Sequence, residues 1–137
     1  MRSLKSTFAL AALIVMAIGA VVGPTLLAAP ALEPRKSDEA GVQVVVTPKP
    51  FDPAAATLDF DVVMDTHTKP LSDDLVRASE LIVDGSSYSP TGWQGDPPGG
   101  HHRKGVLKFP RPIETPKRIE MRINGIAGAG VRTFTWE

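Results

Sequence analysis

The stretch Leu58-Asp59-Phe60-Asp61-Val62-Val63-Met64-Asp65 decides the fold class. Leu58, Phe60, Val62 and Met64 alternate with Asp59, Asp61, Val63 and Asp65. Successive side chains of an extended chain point to opposite faces, so this pattern predicts a half-buried strand with an acidic outer face. The same period recurs on both sides of it. Val42, Val44 and Val46 alternate with Gln43, Val45 and Thr47; Ile119, Met121 and Ile123 with Arg118, Glu120 and Arg122; Phe134 and Trp136 with Thr133, Thr135 and Glu137. Shorter candidates lie at 80–84, 87–89 and 106–109. Pro48, Pro50, Pro53, Pro110, Pro112 and Pro116 fall between these runs, as they must if the strands pair through backbone N–H groups. The expectation is an all-β domain, an immunoglobulin-like sandwich of about seven strands. A single helical turn is expected within 71–78, after Pro70 and capped by Ser72.

The chain begins with a different signal. Arg2 and Lys5 precede an uncharged apolar run over 8–22, followed by Gly23-Pro24 and by Ala29-Pro30-Ala31, which fits an A-x-A cleavage site. Residues 1–31 therefore read as a signal peptide or, if uncleaved, as an N-terminal membrane anchor helix, since about 20 apolar residues can span a bilayer. The polar residues 32–41 read as a linker, and 42–137 as the β domain. That domain is expected outside the cytoplasm: periplasmic or secreted after cleavage, otherwise anchored in the cytoplasmic membrane and facing out. The sequence has no cysteine, so neither a lipobox thiol nor a disulfide is available and an apolar core must supply the stability. A formal net charge of +0 gives no basis for expecting nucleic acid as a partner. Residues 52–84 carry eight acidic side chains against Lys69 and Arg77, while 103–122 carry seven basic ones against Glu114 and Glu120. Outer faces of neighbouring strands are expected to pair these charges.

Chemistry-bearing residues concentrate between Trp93 and Phe109. Asp96-Pro97-Pro98-Gly99-Gly100 must be a turn or loop, and His101 and His102 lead from it into a strand. Upstream, Asp65 and His67 stand two apart at the end of the second expected strand and project from one face. Adjacent His101 and His102 point oppositely in extended geometry, so only one can join that pair. A site of Asp65, His67 and one of His101 or His102 suits Cu(II) or Zn(II) by ligand type. The competing role for these imidazoles and Asp96 is structural, holding the Pro-Gly-rich loop through its backbone. Trp93 and Tyr88 read as caps on the core rather than a stacking platform, and Met64 and Met121 fall on the inward parity. The 125–130 segment precedes a strand, not a helix, so it reads as a hairpin connection and not a phosphate loop. Ser86 and Ser87 lack the G-x-S-x-G elbow. No catalytic constellation emerges, and an enzyme is not expected.

The run W-x-G-D-P-P-G-G-H-H-R-x-G-V-L-x-F-P, with D-T-H-T before it and R-T-F-x-W at the end, resembles a family of small exported bacterial β-sandwich proteins. The resemblance covers most of 42–137 and implies export and a shared fold, with no particular activity. A looser likeness is to small exported β-sandwich copper carriers, whose Asp-x-His ligand pair is similar to Asp65 and His67. Those carriers also use a histidine at the mature N-terminus, where this chain has Leu32. The expected function is a non-catalytic extracytoplasmic binding or interaction module. The alternatives are a periplasmic copper or zinc carrier, and a membrane-tethered accessory subunit with a protein partner at the outer-membrane or cell-surface side.

Overall fold

Alternation becomes pairing in the two strongest apolar runs. Val42–Pro48 forms β2 and Thr57–Thr66 forms β3, antiparallel, with Val44 opposite Met64 and Val46 opposite Val62. The computed structural model describes residues 23, 32–112 and 115–137. The expected signal or anchor at 1–31 lies outside the described residues apart from Gly23. The remaining elements are β1 (Arg35–Glu39), α1 (Leu75–Ala78), β4 (Ser79–Val83), β5 (Ser86–Tyr88), β6 (Gly92–Gly95), β7 (His102–Pro110), β8 (Ile119–Asn124) and β9 (Val131–Trp136). They make two antiparallel sheets. One has the order β1-β2-β3-β7-β6 and the other β5-β4-β8-β9.

The inner faces of both sheets supply one core. Leu58, Phe60, Val62 and Met64 from β3 are buried together with Leu81, Met121, Ile123 and Phe134 from the other sheet. Phe60 meets Phe109 edge-on at 5.7 Å between ring centroids and Trp136, on the facing sheet, at 5.8 Å. Each such side chain, fully buried, contributes roughly 1.5–3 kcal/mol, and with no disulfide this burial carries the domain.

Nine strands are present among the described residues, two more than expected. The first addition is β1, which lies inside the segment 32–41 that reads as a linker. Its polar residues conceal it, because an edge strand is held by its backbone ladder to β2 and needs no apolar face. A second device fixes it. Arg132 shares the inward parity of Phe134 and Trp136 and is fully buried. Its Nη1 donates to Ser37 Oγ and to the Val42 carbonyl at 3.0 Å each, and its Nη2 to the Glu39 carbonyl at 2.7 Å. Trp136 Nε1 donates to the Glu33 carbonyl at 2.7 Å, and Arg35 Nε to that of Thr135 at 3.0 Å. The four-stranded sheet is thereby bound to the first strand of the other.

The second addition is β6, whose two glycines give no alternation. It lies against β7 with Gly95 opposite Gly105. A Cβ on Gly105 would stand 2.6 Å from the Trp93 ring and 2.7 Å from the Gln94 carbonyl, so the indole occupies the space a side chain would need. The helical turn starts later than expected. Asp74, not Ser72, caps it, accepting from Val76 N at 3.0 Å and Arg77 N at 3.3 Å. Between β8 and β9 the chain makes a 3-10 turn, pinned by buried Ile126 and by Ala127 N donating to Asp73 Oδ2 at 3.1 Å.

Candidate functional site

The outer face of the five-stranded sheet carries Asp65 and His102 of the candidate ligands, at the end of a double column of charges. On β3 the outward positions are Asp59, Asp61, Val63 and Asp65. Opposite them on β7 stand Lys108, Val106, Lys104 and His102. An acidic column thus runs beside a basic one, with a valine in each. The expected cross-strand pairing occurs in part: Lys108 Nζ lies 3.0 Å from Asp59 Oδ2, and Lys49 Nζ lies 3.6 Å from Asp61 Oδ1. Burial pushes the Asp59 carboxyl up, but hydrogen bonding to Thr57 and Lys108 and the nearby positive charges outweigh it, so the group titrates below its ordinary value.

Between the columns and β6 lies an open hollow of about 510 Å³. Asp61, Val63, Asp96, Lys104 and Val106 line it, with the backbone of Gly95 and Gly105 alongside. Val63 is 38% exposed at the middle of the central strand, and Val45 pairs with it from β2. Valine there stands out on a face built mostly of polar and charged side chains. The sequence marks Val63 and Val45 only as breaks in the polar parity, which is the one signal that could have found this hollow.

The loop 96–101 closes one end of this face and is tightly tied. Asp96 N donates to the Lys104 carbonyl at 2.9 Å, and Lys104 N donates back to Asp96 Oδ2 at 3.0 Å. Gly99 N donates to the Leu71 carbonyl, Leu71 N to that of Gly100, and Thr66 N to that of His101. Beneath the loop, Arg103 is buried. Its Nη1 donates to the carbonyls of Leu71 at 3.3 Å and Asp73 at 2.7 Å, and its guanidinium lies 5.3 Å from the centre of the Trp93 ring. Burial holds Arg103 below the usual guanidinium value, against the opposing pull of Asp73, Asp74 and Asp96. Trp93 Nε1 donates to the Asp96 carbonyl at 2.9 Å. Asp96 therefore holds the loop as expected, and Arg103, inconspicuous in the sequence, holds it from below.

Of the four candidate metal ligands, the fold brings two into contact. His102 Nδ1 meets Asp65 Oδ1 across the β3–β7 ladder, with the imidazole largely exposed. His67 lies one residue beyond the end of β3 and is exposed. His101 is exposed and joins the network through its backbone carbonyl. Among the described residues, no three His, Cys, Asp or Glu side chains form a group that could hold a metal ion. Tyr88 and Trp93 are partly buried against the core, and Met64 and Met121 lie within it. Compared with protein families, curated proteins and solved structures, the chain matches none.

Proposed function

We propose that the chain is a non-catalytic, extracytoplasmic binding module of immunoglobulin-like fold, whose contact surface is the outer face of the five-stranded sheet. For the fold, the support is strand order. With β1 set aside, the sheets run β2-β3-β7-β6 and β5-β4-β8-β9, the arrangement of strands ABED and C′CFG in immunoglobulin-like sandwiches. For the extracytoplasmic location, the support is the basic and apolar pattern of residues 1–31.

The observation that carries the binding role is the hollow over Val63 and Val106. Apolar side chains half-open to water beside Asp61 and Lys104 combine a desolvatable centre with a charged rim, the composition of a contact patch. The test is site-specific photocrosslinking in cells producing the full chain, with a photoreactive residue at position 63 or 106 and, as controls, at 87 or 122. A discrete adduct from 63 and 106, absent from 87 and 122, is expected. Adducts only from the control positions would overturn the assignment of the face.

A second reading has one observation in its favour. The Asp65–His102 contact puts a carboxylate and an imidazole, the ligand types of Cu(II) and Zn(II) sites, side by side on the outer face where β3 ends, with His67 two residues along the chain from Asp65. On that reading the module binds copper or zinc there.

A further inference from the structure

We propose that the partner covering this face is a second copy of the same chain, seated about a two-fold axis that lies in the interface and runs parallel to β3 and β7. This rests on the reading of the outer face as the contact surface. Charge complementarity selects this partner. Asp59, Asp61 and Asp65 stand on β3, while His102, Lys104 and Lys108 stand on β7 beside it. Rotation by half a turn about an axis between the two strands lays the β3 of one copy over the β7 of the other, so each acidic column meets a basic one. An axis across the strands would instead stack aspartate on aspartate. The pattern selects the first geometry, and a closed isologous dimer follows from it.

The central rows fit at the level of side chains. Val63 pairs with Lys104 and Asp61 with Val106 within one copy. In the dimer, Val63 of one copy lies on the aliphatic stem of Lys104 in the other, and that lysine extends one row along to Asp61 of the first copy. Within its own copy, and among the described residues, Asp61 is met by Lys49 at 3.6 Å, both groups being half-exposed. The contact therefore gives Asp61 a second cation and Lys104 a carboxylate while the four valines leave water.

Size sets the strength. Four rows along β3 and four strands across it measure roughly 20 Å by 19 Å at ~3.4 Å per residue and ~4.8 Å per strand. About 400 Å² per copy is half of the ~800 Å² per partner of a standard interface, so the association is weak and reversible. Covalent capture is the suitable readout.

The experiment uses the full chain in cells, co-expressed with two different tags and carrying a photoreactive residue at position 63. The expected product is a single adduct of twice the chain mass that contains both tags. Lys104→Glu should reduce its yield at least tenfold, and Lys104→Glu combined with Asp61→Lys, which restores opposite charges across the axis, should recover most of it. An adduct of any other mass overturns the dimer and leaves the contact face standing. No adduct from 63 or 106 overturns both. A two-tag adduct that is indifferent to Lys104→Glu, or that the double exchange fails to recover, overturns the geometry.

Discussion

Arg132 Nη1 lies 3.0 Å from the carbonyl oxygen of Val42, and this bond joins the last strand of one sheet to the second strand of the other. The same guanidinium reaches the Glu39 carbonyl and Ser37, so one side chain gathers both strands of the β1–β2 hairpin. Arg132→Met keeps the bulk but leaves the buried Val42 carbonyl and two part-buried acceptors without a donor, and should cost about 2–4 kcal/mol in chemical denaturation. Arg132→Lys should recover little, because an ammonium lacks the planar fork that serves divergent acceptors. A loss below about 1 kcal/mol in both variants would mean that the hairpin is held by its ladder alone.

The same bonds bear on where the domain starts. A chain beginning at residue 32 retains β1 and should fold to a β-type circular dichroism spectrum. One beginning at residue 42 lacks Ser37 and Glu39, exposes the edge of β2 and strips Arg132 of two partners. Its thermal midpoint should fall by ten degrees or more, on the scale of ~4–8 °C per kcal/mol for a domain of this size. Equal midpoints would show β1 to be dispensable.

Phe60 is fully buried between Phe109 and Trp136, whereas its neighbour Asp61 faces out. Phe60→Ala should destabilise by about 3–5 kcal/mol. Asp61→Asn should stay within about 0.5 kcal/mol of the parent. Equal losses in urea titrations would mean that the faces of β3 are reversed.

The contrast between these two residues also shows what the sequence made legible. Wherever an inner face is apolar and the outer polar, as at 58–65 and 119–123, the period alone gives the strand and its orientation. It fails where backbone or a lone polar group does the holding. β1 is polar on both faces because it lies at an edge. β6 is glycine and tryptophan because Trp93 fills the space above Gly105. Arg132 sits at an inward position where the pattern calls for an apolar residue, and its acceptors are backbone carbonyls distant in sequence. For the site, strand parity placed Asp65 outward and assigned one histidine of the pair to join it. It could not supply the register that makes that one His102, nor the juxtaposition of Val63 and Lys104.

Asp59 gives a pH dependence with a definite sign. Its folded-state pKa is depressed by Thr57 and Lys108 despite burial. The contribution is therefore fully present above the unfolded-state value, near 4, and is lost as pH falls through the folded one. Lys108→Met should lower stability at pH 7 by about 0.2–1 kcal/mol, the range of a cross-strand ion pair. The difference from the parent should shrink as the pH is taken from about 4 downward. A gap that widens in acid would contradict the assignment.

The contact between His102 and Asp65 makes the metal reading separable from a structural one. If the pair binds Cu(II) or Zn(II), imidazole must be neutral to coordinate, so affinity should decline in acid. His102→Ala and Asp65→Asn should each abolish or sharply weaken binding, and His67→Ala should weaken it if that side chain completes the set. His101→Ala should bind like the parent, because the contact with Asp65 belongs to His102 and His101 lies in the loop before β7. A purely structural pair predicts another pattern: no binding above background in the parent, and a lower melting temperature in His102→Ala and Asp65→Asn. Because the imidazole is largely exposed, that loss should be no more than about 1 kcal/mol. Titrating each metal into the parent and the four variants, with melting curves alongside, distinguishes the two. Should the parent and His102→Ala bind equally poorly while the variant melts lower, the pair is a strand clasp and the metal reading falls.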